Sequence, residues 1–475
     1  MPRRLDSCGR ASRAGIRLTS RLRGRRPWRA AGRRHTIRAR QQRARRHPET
    51  GRMAGQVGDH STDVLIIGGG VVGVCAAYYL LKQGRDVTLI EKGDICSGAS
   101  YGNAGLIAVS HVVPLAEPGV FAQGLRWLMR PDSPFYIRPR LDRDFARWLW
   151  LFRRAATHQR VRAAMPAIRD LQFASLDLFP GIIDETQAEC HFEQRGLLMA
   201  FTQPKKLAAA VEEARVTAEV GIEYEELDDD AIHAREPSLS SNVIGGVYHP
   251  QDAHIEPAAF VRAVGRHIRE NGARVHEGVE ALGLERSGRN VGVVTTTRGG
   301  FQAREVVLAG GAWSPGIAGP LGLRLPIQAA KGYSVTVRRP ETSPSIPLLL
   351  PETRVAVTPM GDTLRFAGTL ELAGMDLSVN MRRVQAIVDG VPPYLTDDAT
   401  ADMKLVEIWR GLRPCSPDGL PFIGRASGYD NLTVAAGHST IGLALGPITG
   451  KLVSQFVAHE APEIDLTLCD VGRYG

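Results

Sequence analysis

The stretch from Thr62 to Gly93, TDVLIIGGGVVGVCAAYYLLKQGRDVTLIEKG, constrains the fold more than any other part of the chain. Val64–Ile67 reads as a short buried strand, and Gly68, Gly70 and Gly73 follow it as GxGxxG. An apolar helix is expected from there to about Lys82, ended by Gly84. A second strand over Val87–Ile90 then carries Glu91 at its tip. Each piece has a physical reason. Gly68 permits a tight turn, Gly70 lets the backbone approach a pyrophosphate, and Gly73 lets helix and strand pack closely. The helix N-terminus offers unsatisfied N–H groups to phosphate oxygens. Glu91, 18 residues after Gly73, is placed to accept from ribose hydroxyls, and its charge disfavours a 2′-phosphate. A bare GxGxxG says little, but one set between two strands with a terminal acid indicates a dinucleotide site.

The fingerprint does not say which dinucleotide. Ser97 to Gly105 (SGASYGNAG) is a long small-residue loop where a nicotinamide enzyme would continue its fold, and its backbone amides can lie along an extended ligand. Its other reading is a plain surface loop. Near the far end, Asn431–Ala435 reads as a strand, followed by Ala436 to Ala444 and a helix through Val457. That unit aims a second helix N-terminus at an electron-rich group, such as an isoalloxazine that becomes anionic on reduction. Val306–Gly311, followed by Ala312, Trp313 and Ser314, is a third strand ending in glycine. Together these favour FAD.

The motifs run in the order GxGxxG with its Glu, SGAS and GNAG, VVLAGGAWS, GLRPCSPDGLPFIG and AAGHSTIGLALGP. That order resembles the D-amino-acid oxidase/glycine oxidase superfamily of FAD amine oxidoreductases. Within it, the chain is most similar to bacterial D-amino-acid dehydrogenases, whose typical stretch Leu125–Trp150 also resembles. The likeness spans about residues 62–460. It implies an α/β fold: a discontinuous Rossmann-like FAD-binding domain plus an α+β substrate domain with a mainly antiparallel sheet. The expected FAD domain is 62–110, 226–324 and 405–460, with a helix over Ala258–Glu270 and strands over Arg274–His276 and Val291–Thr296. The substrate domain is 111–225 and 325–404, where alternation over Gly332–Val337 and Arg354–Val357 supports the sheet.

Carried over by the resemblance, FAD contacts fall on Gly68, Gly70, Val72, Gly73, Glu91, Lys92, Ser100, Asn103, Ala104, Gly105, Val279, Gly310, Gly437, Ile441, Gly442 and Leu443. Cys96 and Cys415 lie near motifs but match no covalent flavin linkage, so the FAD is expected to be non-covalent.

Three residues are candidates for the chemistry. Gly411 to Gly419 cannot be helical with two prolines and a glycine so close together, and it reads as a strand end and turn delivering Arg413. A guanidinium there can clamp a carboxylate with two parallel bonds, and the resemblance implies that Arg413 anchors the substrate carboxylate. The alternative is a structural salt bridge. Tyr333 borders the same pocket or is a half-buried strand aromatic. His438 either hydrogen-bonds the ring or the substrate, or caps and packs a helix start. The carboxylates of Asp252–Pro257, around His254, read as helix-start residues. No triad, HExxH or paired-carboxylate constellation stands out, and no metal site is expected.

The resemblance implies oxidation of the Cα–N bond of a small amino acid, of D configuration, by hydride transfer from Cα to flavin N5. The imino acid then hydrolyses to a 2-oxo acid and ammonia, and electrons pass to a quinone or another carrier. D-hydroxyproline or D-proline is one variant, and sarcosine or glycine oxidation by O₂ another. A reading from a different class is a flavin-binding subunit that is silent without a partner.

Charge tests the remaining classes. The net +9 is concentrated in residues 1–52, which hold 18 arginines, no lysine and two acids for a local +16, leaving the body at −7. A mildly acidic body argues against a nucleic-acid partner. The head lacks amphipathic organisation and is expected to be a disordered basic extension outside the fold. A targeting peptide, a nucleic-acid arm or an over-extended start ahead of Met53 would each fit it, and the last is favoured. No apolar run reaches the length of a membrane span. The six cysteines show neither disulfide nor zinc spacing, which points to a cytoplasmic setting. The Trp- and Arg-rich stretch 125–154 suits either a peripheral contact on the inner membrane face or a helix covering the substrate cavity.

Overall fold

The computed structural model describes residues 60–118, 135–138 and 140–474; the basic head and residues 125–134 of the Trp- and Arg-rich stretch lie outside them. The strand His60–Ile67 lies between two parallel neighbours, Val87–Glu91 on one side and Gly299–Leu308 on the other. Val64, Leu65 and Ile66 are fully buried, as a parallel strand covered on both faces requires. Each such side chain contributes about 1.5–3 kcal/mol by leaving water, enough to make this the centre of the sheet. Arg274–Glu277 extends it in parallel. Asn290–Thr296 and Ala281–Ser287 continue it as an antiparallel meander. Leu432–Ala436 pairs in parallel with the end of Gly299–Leu308, and Phe422–Arg425 folds back on it.

Two helices follow parallel strands of this sheet, Val71–Lys82 and Gly446–Val457, so both N-termini emerge at the carboxyl ends of the strands, where open α/β sheets bind ligands. They pack on one another with little separation. A methyl on Gly446 would lie 2.4 Å from Val71 Cγ2, and one on Gly450 would lie 2.5 Å from the Cys75 carbonyl carbon. Pro257–Glu270 packs against the same helix.

The second sheet runs in the order Leu405–Cys415, Gln328–Arg338, Thr363–Leu372, Val355–Met360, Leu348–Leu350, Leu197–Phe201, Gly245–His249, Glu225–Leu227. Its pairs are antiparallel except Leu348–Leu350 with Leu197–Phe201, and Phe135–Ile137 with Thr363–Leu372. One face packs on a core that includes Val335, Phe366, Val384 and Ile387. The helix Arg143–Ala155 begins at Asp142, whose side chain accepts from Asp144 N and Phe145 N, and it buries Phe145, Trp148 and Phe152.

Two strands depart from the division expected from the sequence. Gly245–His249 and Leu405–Cys415 were expected within the FAD unit, yet both pair in the second sheet. Leu405–Cys415 precedes a motif of the first sheet, but its residues match Gln328–Arg338 along nearly their whole length, and that long pairing decides where it goes.

At Gly73 a methyl would lie 1.8 Å from the Gly68 carbonyl oxygen. Gly73→Ala is therefore expected to cost about 1–3 kcal/mol through overpacking, read as a lower Tm in thermal melting.

Candidate active site

A cavity of about 1000 Å³ runs between the two sheets. That is the upper end of the roughly 300–1,000 Å³ typical of single ligand sites, room for an elongated cofactor and a small substrate together. Loops at the carboxyl ends of the parallel strands form one wall. Gly332, Ala367, Thr369, Trp409, Gly411 and Arg413 of the second sheet form another, and Trp148 and Phe152 close a third. Trp148 is fixed there by its indole N–H, which donates to the Cys415 carbonyl at 2.9 Å.

The dinucleotide end is built from backbone. Gly68 has φ +113°, and a methyl on it would sit 2.5 Å from the Ala309 carbonyl oxygen, so turn and third strand meet with no space for a side chain. Gly70 precedes the helix and has no side chain with which to cap it. The loop supplies the cap instead: Ser100 Oγ accepts from Val71 N at 3.1 Å. Glu91 accepts from Gly69 N at 2.7 Å through Oε2 and from Gly93 N at 2.9 Å through Oε1, which fixes its carboxylate at the cavity wall. Val279 N donates to the Glu91 carbonyl at 2.9 Å. Asn103 Oδ1 accepts from Gly105 N at 2.9 Å, and Arg365 bonds the carbonyls of Tyr101 and Asn103 from behind, so the SGASYGNAG loop is held as a shaped wall. The Lys92 ammonium lies 3.4 Å from the centre of the Trp313 ring, and burial lowers its pKa.

Thirteen of the sixteen residues expected to touch FAD line this cavity; Gly73, Gly105 and Gly437 do not. Those three are glycines for packing. Methyls on Gly105 and Gly437 would meet the Ile255 carbonyl oxygen at 2.4 Å and the Phe422 ring at 2.7 Å. The side-chain-free turn, the two helix N-termini and the fixed carboxylate fit an FAD: amides for its pyrophosphate, Glu91 for its ribose, the Gly437–Leu443 turn for its ring.

Arg413 lies in the wall of the second sheet. Its Nη1 donates to the Thr369 carbonyl at 2.9 Å, burial lowers its pKa, and no carboxylate among the described residues pairs with it. The salt-bridge alternative therefore has no partner there. Tyr333 borders the cavity, but its ring belongs to the core on the opposite face of the sheet, and its hydroxyl donates to Glu371 Oε2 at 2.9 Å and accepts from Asn380 N. His438 is 2 % exposed, hydrogen-bonds Thr449 Oγ1 at 3.0 Å through Nε2, and is pushed by burial down to about 4. It is a neutral imidazole at the cavity wall. Cys96 and Cys415 are buried thiols whose pKa burial pushes up to about 12, so neither is a thiolate nucleophile.

Asp252 corrects the helix-start reading of its segment. It is fully buried, accepts from Ser110 N at 2.9 Å and from Ser110 Oγ at 2.6 Å, and burial pushes it up to about 7. It anchors the loop that carries Ser110 and His111 into the cavity. Trp409 went unnoticed in the sequence. Its ring is held between Gly102 and Gly411, whose added methyls would lie 2.2 and 2.0 Å from ring carbons. The signal was present, since Trp409, Gly411 and Arg413 alternate along one strand and so share a face. Gln172, a fully buried cavity residue on the helix His158–Thr186, was missed for want of any motif around it.

Residues 63–456 match the family described as FAD dependent oxidoreductase (DAO). D-amino acid dehydrogenase of Granulibacter bethesdensis is 32 % identical over 422 residues, covering 86 % of this chain and 99 % of that one. The enzyme of the same name from Chromohalobacter salexigens is also 32 % identical, covering 86 % and 99 %. Among solved structures, glycine oxidase from Geobacillus kaustophilus superposes with TM-score 0.71 at 24 % identity, covering 88 % of this chain and 100 % of that one. L-proline dehydrogenase from P. horikoshii gives 0.67 at 19 %, covering 87 % and 98 %. The chain belongs to the FAD-dependent oxidoreductase family. It is an oxidoreductase with FAD as its cofactor, and the solved structures show the same fold. No helix among the described residues is long and apolar enough to cross a membrane.

The buried His438 fixes one pH response. Its folded pKa lies below the unfolded value near 6.5, so its contribution to stability is complete above pH 6.5 and is lost as pH falls toward 4. His438→Gln is expected to show a smaller fall in Tm between pH 7 and pH 5 than the unmodified protein, checked by calorimetry at matched ionic strength.

Proposed function

We propose that this enzyme oxidises the Cα–N bond of a small D-amino acid and passes the electrons to a quinone or another carrier. The observation that carries the reading is Arg413, a guanidinium in the cavity wall that has, among the described residues, a single carbonyl partner and no carboxylate. A buried guanidinium without an anion costs free energy, and a substrate carboxylate supplies the missing charge through two charge-assisted bonds. The relatives named D-amino acid dehydrogenase support the D configuration. Bound FAD supplies the hydride acceptor for the Cα–H bond.

The protein's own part is orientation and exclusion of water. Arg413 holds the carboxylate while Trp409, Trp148, Phe152 and Leu370 wall the space beside it. Neutral His438 adds no positive charge beside the substrate amine, which gives up its ammonium proton to solvent before the Cα–H bond can yield hydride. Such orientation is worth several kcal/mol of the barrier, out of about 7–11 attainable. The imino acid product leaves and hydrolyses to a 2-oxo acid and ammonia. D-proline and D-hydroxyproline are the first variants to test.

The helix Arg143–Ala155 favours a route for the acceptor. Its inner side lines the cavity, while Trp150, 54 % exposed, faces outward with Arg154 stacked 4.7 Å from its ring and Arg147 and Arg153 exposed beside it. Aromatic and cationic groups on one face suit peripheral contact with an anionic membrane surface, where a quinone would be met.

The test is anaerobic titration of the purified holoenzyme with D- and L-amino acids. The flavin bands are expected to bleach with D-amino acids and to recover slowly in air; bleaching by L-amino acids alone reverses the stereochemical assignment, and no bleaching by any amine overturns the reading. Arg413→Met is expected to lower kcat/KM about 10²-fold or more, as for two charge-assisted bonds of about 1.5 kcal/mol each.

A further inference from the structure

We infer that Gly332, Thr369 and Glu371 set the position of Arg413, with Glu371 and the Tyr333 hydroxyl acting from the far face of the sheet. The inference rests on the substrate reading above and assigns positioning residues to the carboxylate subsite. Lys331 is paired with Glu371 and Tyr333 with Gly368, so the single residue Gly332 faces two, Thr369 and Leu370. This is a β-bulge, the irregularity that re-aims groups beside functional sites. Thr369 adopts φ +66°, a left-handed conformation that is an outlier for a β-branched residue. Such strain persists only where the surroundings over-determine it.

Both consequences of the bulge fall on Arg413. The Thr369 carbonyl is turned onto Nη1 at 2.9 Å. A methyl on Gly332 would lie 2.1 Å from Nη1, 2.5 Å from Cζ and 2.6 Å from Nη2, so the guanidinium lies flat against the bare glycine. One edge of the fork is fixed by the protein, and among the described residues Nη2 and Nε have no partner and remain for an incoming carboxylate.

What over-determines the strain lies on the other face. Tyr333 OH donates to Glu371 Oε2 at 2.9 Å. Lys331 Nζ stands 3.7 Å and Arg383 Nε 3.5 Å from the same carboxylate. Lys331 and Tyr333 are each 1 % exposed. They flank Gly332 in sequence and converge on Glu371, two residues beyond Thr369, with Lys331 itself held by hydrogen bonds to Asp376 Oδ2 and the Ser378 carbonyl, so the bulge is clamped at its Glu371 end. Glu371 does not line the cavity.

Tyr333→Phe removes one hydroxyl and keeps the ring in the core; Glu371→Gln removes the charge, and Gly332→Ala fills the platform. The readouts on holoenzyme are KM for the D-amino acid, the limiting rate of anaerobic flavin reduction, and the Kd of the product 2-oxo acid from its perturbation of the flavin spectrum. In Tyr333→Phe and Glu371→Gln, KM and Kd are expected to rise about tenfold while the limiting rate stays within about twofold. In Gly332→Ala they are expected to rise about 10²-fold, as for a displacement of about 1 Å at a positioning group. Melting temperature and flavin content identify any variant that fails to fold, and Tyr333→Phe, the mildest, then decides. Unchanged KM and Kd in folded Tyr333→Phe overturn the inference, as does a fall in limiting rate at constant KM, which would make Tyr333 catalytic. If the unmodified enzyme is reduced by no amino acid, the substrate reading fails on its own, and the Kd of the 2-oxo acid still reads the subsite.

Discussion

The contact between Gly73 and the Gly68 carbonyl, where an added methyl would be only 1.8 Å away, sets how closely the first helix approaches the first strand. That approach fixes where the helix N-terminus lies, and with it the place of the amides that can meet a pyrophosphate. The second helix follows suit. Gly446 and Gly450 bring Gly446–Val457 against Val71 and Cys75, so two helix starts converge on one end of the sheet. A methyl at any of these positions would lie only 1.8–2.5 Å from its nearest neighbour, so the elements would have to move apart. The cofactor wall is thus a consequence of missing side chains as much as of those present.

The opposite wall obeys a different rule. In a strand, neighbouring side chains point to opposite faces, so Gly332 looks into the cavity while Lys331 and Tyr333 look into the core. The bulge at Thr369 and Leu370 lets Glu371 reach both flanking residues. Polar chemistry therefore sits on both faces of one sheet: a guanidinium left open toward the ligand, and a closed ionic cluster behind it. A buried ion pair contributes little net stability, because desolvation offsets the attraction. Its value here lies in holding a conformation that an unclamped strand would relax.

How far the sequence could be read follows from the range of the interactions involved. The strand, GxGxxG turn, helix and Glu91 were legible because they are contiguous, and each constraint acts within a few residues. The strand end that carries Arg413 was legible from a local motif, since two prolines exclude helix. Partition between the sheets was not. Leu405–Cys415 belongs with Gln328–Arg338 through pairing across some eighty residues, such as Ala330 with Arg413, which no local pattern signals. Tyr333 was placed near the cavity but not on a face, because parity along a strand can be assigned only once one residue's direction is known. Asp252 looked like a helix-start acid because Pro257 follows it closely; its true partner, Ser110, lies 142 residues away.

The way the first sheet is threaded bears on how the chain folds as it is made. Leu65 pairs with Val306, 241 residues later, and Val306 in turn pairs with Leu432. During synthesis at about 5–20 residues per second, the central strand waits on the order of tens of seconds for its second neighbour. Until then Val64–Ile67 has one open edge and an apolar surface, the kind of segment that attracts chaperones or other nascent chains. The second sheet is tied to the same clock, since its edge strand Leu405–Cys415 emerges only after nearly all the rest. Yield of native enzyme is then exposed to translation speed and chaperone supply as well as to the stability of the finished fold.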